Sequence, residues 1–332
     1  MSSLESFLQP IVLNQSFDVL PLAGDASTRR YSRIVTDEKS WVLMEWEPFK
    51  DIQNFPFLSV QDYFLSHGIP VPKLLHLEAD KGLFLLEDLG DLTLERKFWE
   101  FQKQKNILPY YKTTLDHLIK IHSLSFHETQ KDCTAYKVEF SVEKLMWEFH
   151  YMQEHLFEKK WGLQFSKEES AALDKNYLDI CEQLYSQPQV ICHRDFHSRN
   201  VMIKHGKIFI IDFQDARMGP AAYDLVSLLW DSYVDLDSES RQDLIHYYCS
   251  NFPEFPKVAN SVEDFLKTFD LQTLQRCLKA CGSFASFYNN RSDKRYLKYL
   301  PKTLKNINTL LESFPQYSAL HKVLTDNRSQ WA

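Results

Sequence analysis

Glycine is scarce in this chain, with 8 among 332 residues, and no stretch is rich in proline or in glycine and serine. A long disordered linker is therefore not expected. The six cysteines (Cys133, Cys181, Cys192, Cys249, Cys277 and Cys281) form no C-x-x-C pair and no metal-finger spacing. They read as reduced, mostly buried thiols. Met1 to Gln9 has no basic stretch leading into an apolar core, so a signal peptide is not expected. No run has the uninterrupted apolar length of a membrane helix, and a cytoplasmic location is the default expectation. An excess of positive charge is missing too. The 38 basic and 45 acidic residues give a formal charge of −7, which argues against nucleic acid or an anionic membrane as a partner. The one basic concentration, Arg291, Lys294, Arg295, Lys298, Lys302 and Lys305, reads as a solvated face.

Hydrophobic residues make up 44% of the chain and aromatic residues 14%, enough for a substantial core. From Phe17 to about Leu86 the signals are mainly those of strands. Val19–Leu22, Tyr31–Val35, Trp41–Met44 and Leu83–Leu86 are short and mostly apolar, with polar turns or a helix between them. The helix in this part is Asn54–Ser66, ended by Gly68. Beyond Thr93 the pattern becomes helical, over Tyr110–His122, Val142–Phe157, Tyr223–Trp230, Ser238–Cys249, Val262–Phe287 (with a break near Asp270) and Pro301–Phe314. A strand-like island, Val190–Gln214, interrupts the helices. Segregated strands and helices predict an α+β fold in two parts, residues 1–90 and residues 91–332.

The island carries the chemistry. Ile191 to Ile203 and Ile208 to Gln214 form a hairpin around His205-Gly206, with polar groups at its boundaries. His193-Arg194-Asp195, with Asn200 five positions after the aspartate, matches the kinase catalytic loop in residue type and spacing, and Asp212 with Phe213 follows twelve positions later. Phosphoryl transfer requires a carboxylate to orient the attacking hydroxyl and hard oxygen ligands for a divalent ion. Asp224 reads as a loop anchor and as the N-cap of the apolar helix that follows. His193 reads as a buried histidine orienting the loop. The Trp147, Phe149 and Met152 cluster reads as core.

The runs H-R-D-F-H-S-R-N (193–200), I-I-D-F-Q-D-A-R-M-G-P (210–220) and A-Y-D-L-V-S-L-L-W-D (222–231) resemble the aminoglycoside phosphotransferase superfamily. Within it the resemblance is to the bacterial kinases that phosphorylate the anomeric hydroxyl of N-acetylmuramate and N-acetylglucosamine during cell-wall recycling. Pro21 to Tyr31, Val42 to Glu45, Leu86 to Gly90, Arg276 to Ala285 and Arg295 to Leu297 are similar to that subgroup as well, so the likeness runs from about Pro21 to Leu311. It implies a bilobal protein-kinase-like fold, with an antiparallel-sheet nucleotide lobe and a larger helical lobe for the acceptor. It also implies ATP, Mg²⁺ and a small-molecule acceptor, an amino sugar, for a protein expected to be a monomer. Asp195 would be the catalytic base, and Asn200 and Asp212 the metal ligands. Glu87, Asp88 and Leu89 would form the hinge that meets the adenine. The turn from Gly24 through Ser27 and Thr28 would cover the phosphates.

One departure matters. The strand expected to bring a phosphate-binding lysine reads Trp41-Val42-Leu43-Met44-Glu45, with Met44 in that place. Arg29 and Arg30 are the nearest replacement cations. They alternate along a strand, so one should face solvent. On the acceptor side the candidates are Arg199, Asp231 and Arg276. Asp231 reads equally as a helix-surface salt bridge. A lactyl carboxylate on the acceptor would want a cation, and Arg276, Lys279, Arg291 and Lys294 are available. The competing readings are an aminoglycoside, choline or homoserine kinase, and a nucleotide-binding pseudokinase. The missing lysine motivates the last, and the intact Asp195, Asn200 and Asp212 oppose it.

Overall fold

The computed structural model describes residues 3–13, 15–22, 29–101, 103–127 and 132–331. Its N-terminal part is one antiparallel sheet built from β1 (Asp18–Pro21), β2 (Arg30–Val35), β3 (Ser40–Glu45), β4 (Leu74–Glu78) and β5 (Leu83–Glu87) in the order β1-β2-β3-β5-β4. Alternation sorts the side chains of its central strands onto two faces. Leu43, Leu83 and Leu85 pack with Ile34 against Phe7, Leu8 and Val12 of helix α1 (Ser3–Val12). Met44, Phe84 and Leu86 turn the other way, toward Phe57 and Phe64 of helix α2 (Pro56–Ser66) and into the main core. With both faces covered, Leu83 to Leu86 reads as one apolar run rather than an alternation. Neither α1 nor β4 was anticipated from the sequence.

The remainder is largely helical: α3 (Leu94–Glu100), α4 (Leu108–His127), α5 (Val142–Met152), α6 (Lys167–Tyr185), α7 (Ala222–Leu229), α8 (Ser238–Asn251), a short α9 (Phe255–Val258), α10 (Val262–Arg291), α11 (Leu300–Leu311) and α12 (Ser318–Asp326). The fold is therefore α+β, as expected. Helix α6, opened by a Ser166–Glu169 capping box, was not anticipated. Helix α5 continues as a π-helical segment to Lys160. Helix α10 runs unbroken for 30 residues, through Asp270, where the sequence suggested an interruption. It passes so close to α5 that a Cβ at Gly282 would lie 2.6 Å from the Met152 Cα. Of the Trp147 cluster, Phe149 and Met152 are buried, but Trp147 is half exposed with the Lys144 ammonium over its ring. No helix among the described residues is long and apolar enough to cross a membrane.

Two small ribbons sit inside the helical part. Strands β7 (Val201–Lys204) and β8 (Lys207–Ile210) pair across His205 and Gly206, whose φ angles of 51° and 75° are those of a two-residue hairpin turn. Strand β6 (Gln189–Cys192) pairs instead with β9 (Arg217–Pro220), beyond Asp212. The loops leaving β6 and β8 therefore converge.

Candidate active site

The loop from His193 to Asn200 leaves β6, and Asp212 follows β8. Asp224, fully buried in the first turn of α7, clasps the start of that loop. Its carboxylate accepts the backbone N–H of His193 at 2.5 Å and that of Arg194 at 3.0 Å. It is an anchor but not the N-cap, which falls at Ala221. The reason is that Asp224 points inward at the loop rather than back at its own helix. His193 is buried and donates from Nε2 to the Ile211 carbonyl at 2.9 Å, joining the two converging loops.

Asp231 performs a second clasp. It accepts the Ser198 N–H at 2.9 Å, the Ser198 hydroxyl at 2.5 Å and the Tyr233 N–H at 2.8 Å. It is buried, so it is not a surface salt bridge. Asn200 donates from Nδ2 to the Asp195 carbonyl at 2.9 Å, which leaves its side-chain oxygen for a ligand. Arg194 and Asp212 hold positive φ angles of 83° and 64°, a strained backbone that persists only where its surroundings enforce it.

Two cavities meet at this point. One of about 300 Å³ is walled by Asp195, His197, Asp231 and Tyr233. Its opposite wall is a stripe along α10 formed by Arg276, Lys279, Ala280, Ser283, Phe284 and Phe287, the spacing of one helical face. The other, of about 490 Å³, lies between sheet and helices. Val42, Leu86, Met202 and Phe213 make it apolar, Glu87 to Asp91 form its edge, and Arg29, Tyr31 and Arg33 project into it from the β2 side. Asn200, Asp212 and Arg199 line both cavities, whereas Asp195 lines only the first.

Asp195 is flanked by two cations, Lys279 Nζ at 3.3 Å and Arg276 Nη2 at 3.4 Å. Burial alone would raise its carboxyl pKa. Lys279, Arg276 and Arg194 outweigh that and hold the group well below the usual carboxylate range. Burial pushes the His197 imidazole down, toward its neutral form. Arg276 also donates to the Ser227 hydroxyl at 2.9 Å, which fixes its direction. Lys279 was noted from sequence only as one of several spare cations. What singles it out is its i+3 spacing from Arg276 on a helix, the separation that puts two side chains on one face. His197 stood out only by its place in the catalytic loop, facing either substrate or solvent, and the structure puts it in the cavity wall. Tyr31 and Arg33 carried no distinguishing signal.

On the nucleotide-sized side, Arg29 Nη2 donates to Asp212 Oδ1 at 2.9 Å, with its guanidinium over the Trp46 ring. Arg30 is exposed and does not line the cleft. The two follow strand alternation, and the structure does not bring Arg30 to the site. Met44 is fully buried in the core. Of the residues expected at the hinge, Glu87 pairs with Lys204 at 3.0 Å and Asp88 with Arg33 at 2.7 Å. Gly24, Ser27 and Thr28 lie outside the described residues. Arg199 faces neither solvent nor acceptor freely, for it makes a two-pronged pair with Glu95 and a 3.0 Å bond to the Tyr299 hydroxyl, stacked over Tyr233.

The donor set at the junction suits a hard divalent cation. Asp212 offers a carboxylate whose charge is met here by Arg29 and the Gln214 amide, and Asn200 offers a neutral oxygen.

Comparison with known proteins agrees with this geometry. The chain is 28% identical over 325 residues to an N-acetylmuramate/N-acetylglucosamine kinase of Neisseria meningitidis, covering 97% of this chain and 94% of that one. It is 27% identical over 313 residues to a Pseudomonas aeruginosa protein of the same name, covering 92% and 88%. Its fold is similar to that of an ethanolamine kinase from Plasmodium vivax, with a TM-score of 0.61, 14% identity and coverage of 93% and 87%. It is also similar to the ADP-bound aminoglycoside phosphotransferase APH(2'')-Ib, with a TM-score of 0.59, 16% identity and coverage of 94% and 97%. Residues 18–259 match the Phosphotransferase enzyme family, and the chain belongs to that family.

Proposed function

We propose that this protein transfers the γ-phosphoryl group of ATP to the anomeric hydroxyl of N-acetylmuramate or N-acetylglucosamine, a cytoplasmic step in the reuse of cell-wall amino sugars. The observation that carries this reading is the shared partition: Asn200 and Asp212 line both cavities, and Asp195 lines only one. A donor in the apolar cleft and an acceptor against Asp195 would then meet across that partition. The amino sugar itself is supported by the names of the relatives, which align along nearly the whole chain.

In this reading residues 1–90 form the nucleotide lobe and residues 91–332 the acceptor lobe, joined at Glu87 to Leu89. Backbone groups of that hinge would meet the adenine. Asp195 is the catalytic base. Arg276 and Lys279 keep it ionised, so it orients the attacking hydroxyl throughout and takes the proton only as transfer completes. Asn200 and Asp212 would hold Mg²⁺, which neutralises charge building on the phosphates. Arg29 supplies the fixed positive charge that Met44 cannot. Asp231 positions the loop through Ser198 rather than reading the sugar.

The test is ADP release over a panel of N-acetylmuramate, N-acetylglucosamine, aminoglycosides, choline and homoserine, with and without Mg²⁺. Magnesium-dependent turnover of an amino sugar is expected. Turnover confined to the other acceptors would overturn the proposal.

A further inference from the structure

Beside the acceptor cavity opens another of about 340 Å³, which shares Arg199 and Tyr296 with it. Lys294, Arg295, Lys298 and Tyr299 complete its wall. No carboxylate lines it, in a chain where acidic residues outnumber basic ones by 45 to 38. Arg199 is met by Glu95 and Arg295 by Asp293. Lys294 and Lys298 are exposed, and neither is in an ion pair among the described residues. The Lys298 ammonium lies 5.0 Å from the centre of the Tyr299 ring.

The sequence read this basic run as a solvated face, and all six residues are indeed exposed. The structure adds that Lys294, Arg295 and Lys298 also wall a cavity. Helix α10 ends at Arg291, Ser292 adopts a left-handed φ of 54°, and the chain folds back through Leu297–Tyr299 into α11. That reversal sets Lys294 and Lys298 around a cavity continuous with the acceptor site.

We propose that this cavity binds a carboxylate that the acceptor carries on a short arm from a ring carbon other than the one whose hydroxyl is phosphorylated. The inference rests on the amino-sugar reading above. N-acetylmuramate carries a lactyl carboxylate on the ether oxygen at C3, two ring positions from the anomeric C1. With the anomeric hydroxyl against Asp195, the carboxylate cannot lie there as well. Arg276 and Lys279 are both positioned on Asp195, and Arg276 is also held by the Ser227 hydroxyl, so they are committed to keeping that carboxylate ionised. The unpaired lysines of the adjoining cavity are the chemical match, at a partly exposed site where a charge contact is worth a modest gain. N-acetylglucosamine has no such group and leaves the cavity to water.

The experiment compares N-acetylmuramate, its methyl ester and N-acetylglucosamine, by calorimetric binding and by turnover, in wild type and in a Lys294→Glu, Lys298→Glu double variant. Both lysines are exposed, so folding should be unaffected, and a Lys294→Gln, Lys298→Gln variant supplies the milder change. Wild type should bind the acid about tenfold more tightly than the ester, and charge reversal should erase most of that difference. KM for ATP and for N-acetylglucosamine should stay within about twofold. Equal affinity for acid and ester in wild type, or a difference that survives charge reversal, overturns the subsite. N-acetylglucosamine turnover without an acid–ester difference removes the subsite and leaves the kinase reading standing. No turnover of any of the three removes both.

Discussion

Arg29 and Asp212 come from opposite sides of the cleft between sheet and helices, far apart in sequence, and meet through a 2.9 Å ion pair. The guanidinium is largely buried over Trp46 while Asp212 is about a third exposed. A cation from the sheet thus rests on the carboxylate that begins the second converging loop. In a cleft that takes a triphosphate, that cation is positioned to meet phosphate oxygens in a two-pronged way.

Arg29→Ala should raise the KM for ATP by roughly tenfold or more, with the acceptor KM nearly unchanged. Arg30→Ala, at an exposed position outside the cleft, should leave both near wild type. Met44→Lys should not rescue the Arg29 variant. Met44 is fully buried and faces Tyr31 and Phe84 across the sheet, so a lysine there lowers the Tm instead. Steady-state kinetics and thermal melts on the four proteins check this. A normal ATP KM in Arg29→Ala would place the compensating charge elsewhere.

Asp195→Asn should fold and bind nucleotide normally while kcat drops by about 10²–10⁴-fold. The substitution keeps shape and removes the charge that Arg276 and Lys279 now meet. A near wild-type kcat would rule out Asp195 as the base.

Asp224→Asn tests the clasp on the catalytic loop. One of its two N–H contacts must be lost, because an amide presents only one acceptor oxygen. The site is fully buried, so the cost should be about 1–3 kcal/mol, read as a lower Tm. The kcat should fall with unchanged KM for ATP, since the clasp holds Asp195 rather than the nucleotide. Unaltered stability and kcat together would deny it this role.

His117 gives a pH signature remote from the site. Burial pushes its pKa down to about 4, below the ordinary histidine value of about 6.5. Between those values the unfolded chain binds a proton that the folded chain does not, so stability falls as pH drops through that window. Above it His117 has no effect, and below it the loss is complete. His117→Gln should flatten this dependence by roughly 1–2 kcal/mol, discounted for partial exposure. Denaturant melts at pH 7.5 and pH 4.5 provide the comparison, and parallel curves for the two proteins would reject the assignment.

The elements legible in the sequence were those whose burial repeats with a simple period. Strands β2, β3 and β5 and helices α2, α4, α7, α8 and α11 show one apolar face or a bounded apolar run. Helix α6 escaped notice because its buried residues are diluted by Asn176 and flanked by charge. Strand β4 is only partly buried, with no clean alternation. The Asp195, Asn200 and Asp212 spacing could be read because the chemistry fixes both residue type and separation. Asp224 could be read as a loop anchor, but not its partners, and Asp231 could not be read as a clasp at all. Asp224 and Asp231 act on backbone N–H groups about thirty residues away, and the backbone has no letter in a sequence. The two cations beside Asp195 needed the helix to be seen in three dimensions before their partner was evident.

The cavity wall formed by α10 is a row of side chains on an unbroken, closely packed helix. Ala280, Ser283 and Phe287 are only partly buried and can be exchanged without moving that helix, whereas Arg276 and Lys279 are held by Asp195. None of the stripe belongs to the junction between the cavities. In the proposed reading, donor use and acceptor choice are thus written in separate parts of the chain, the first in loops clasped by buried aspartates, the second in a short stripe of replaceable letters. Drift along that stripe can retune which hydroxyl compound is accepted while the phosphate-handling apparatus stays as it is. A small library randomised at Ala280, Ser283 and Phe287 is accordingly the shortest route from one acceptor to another.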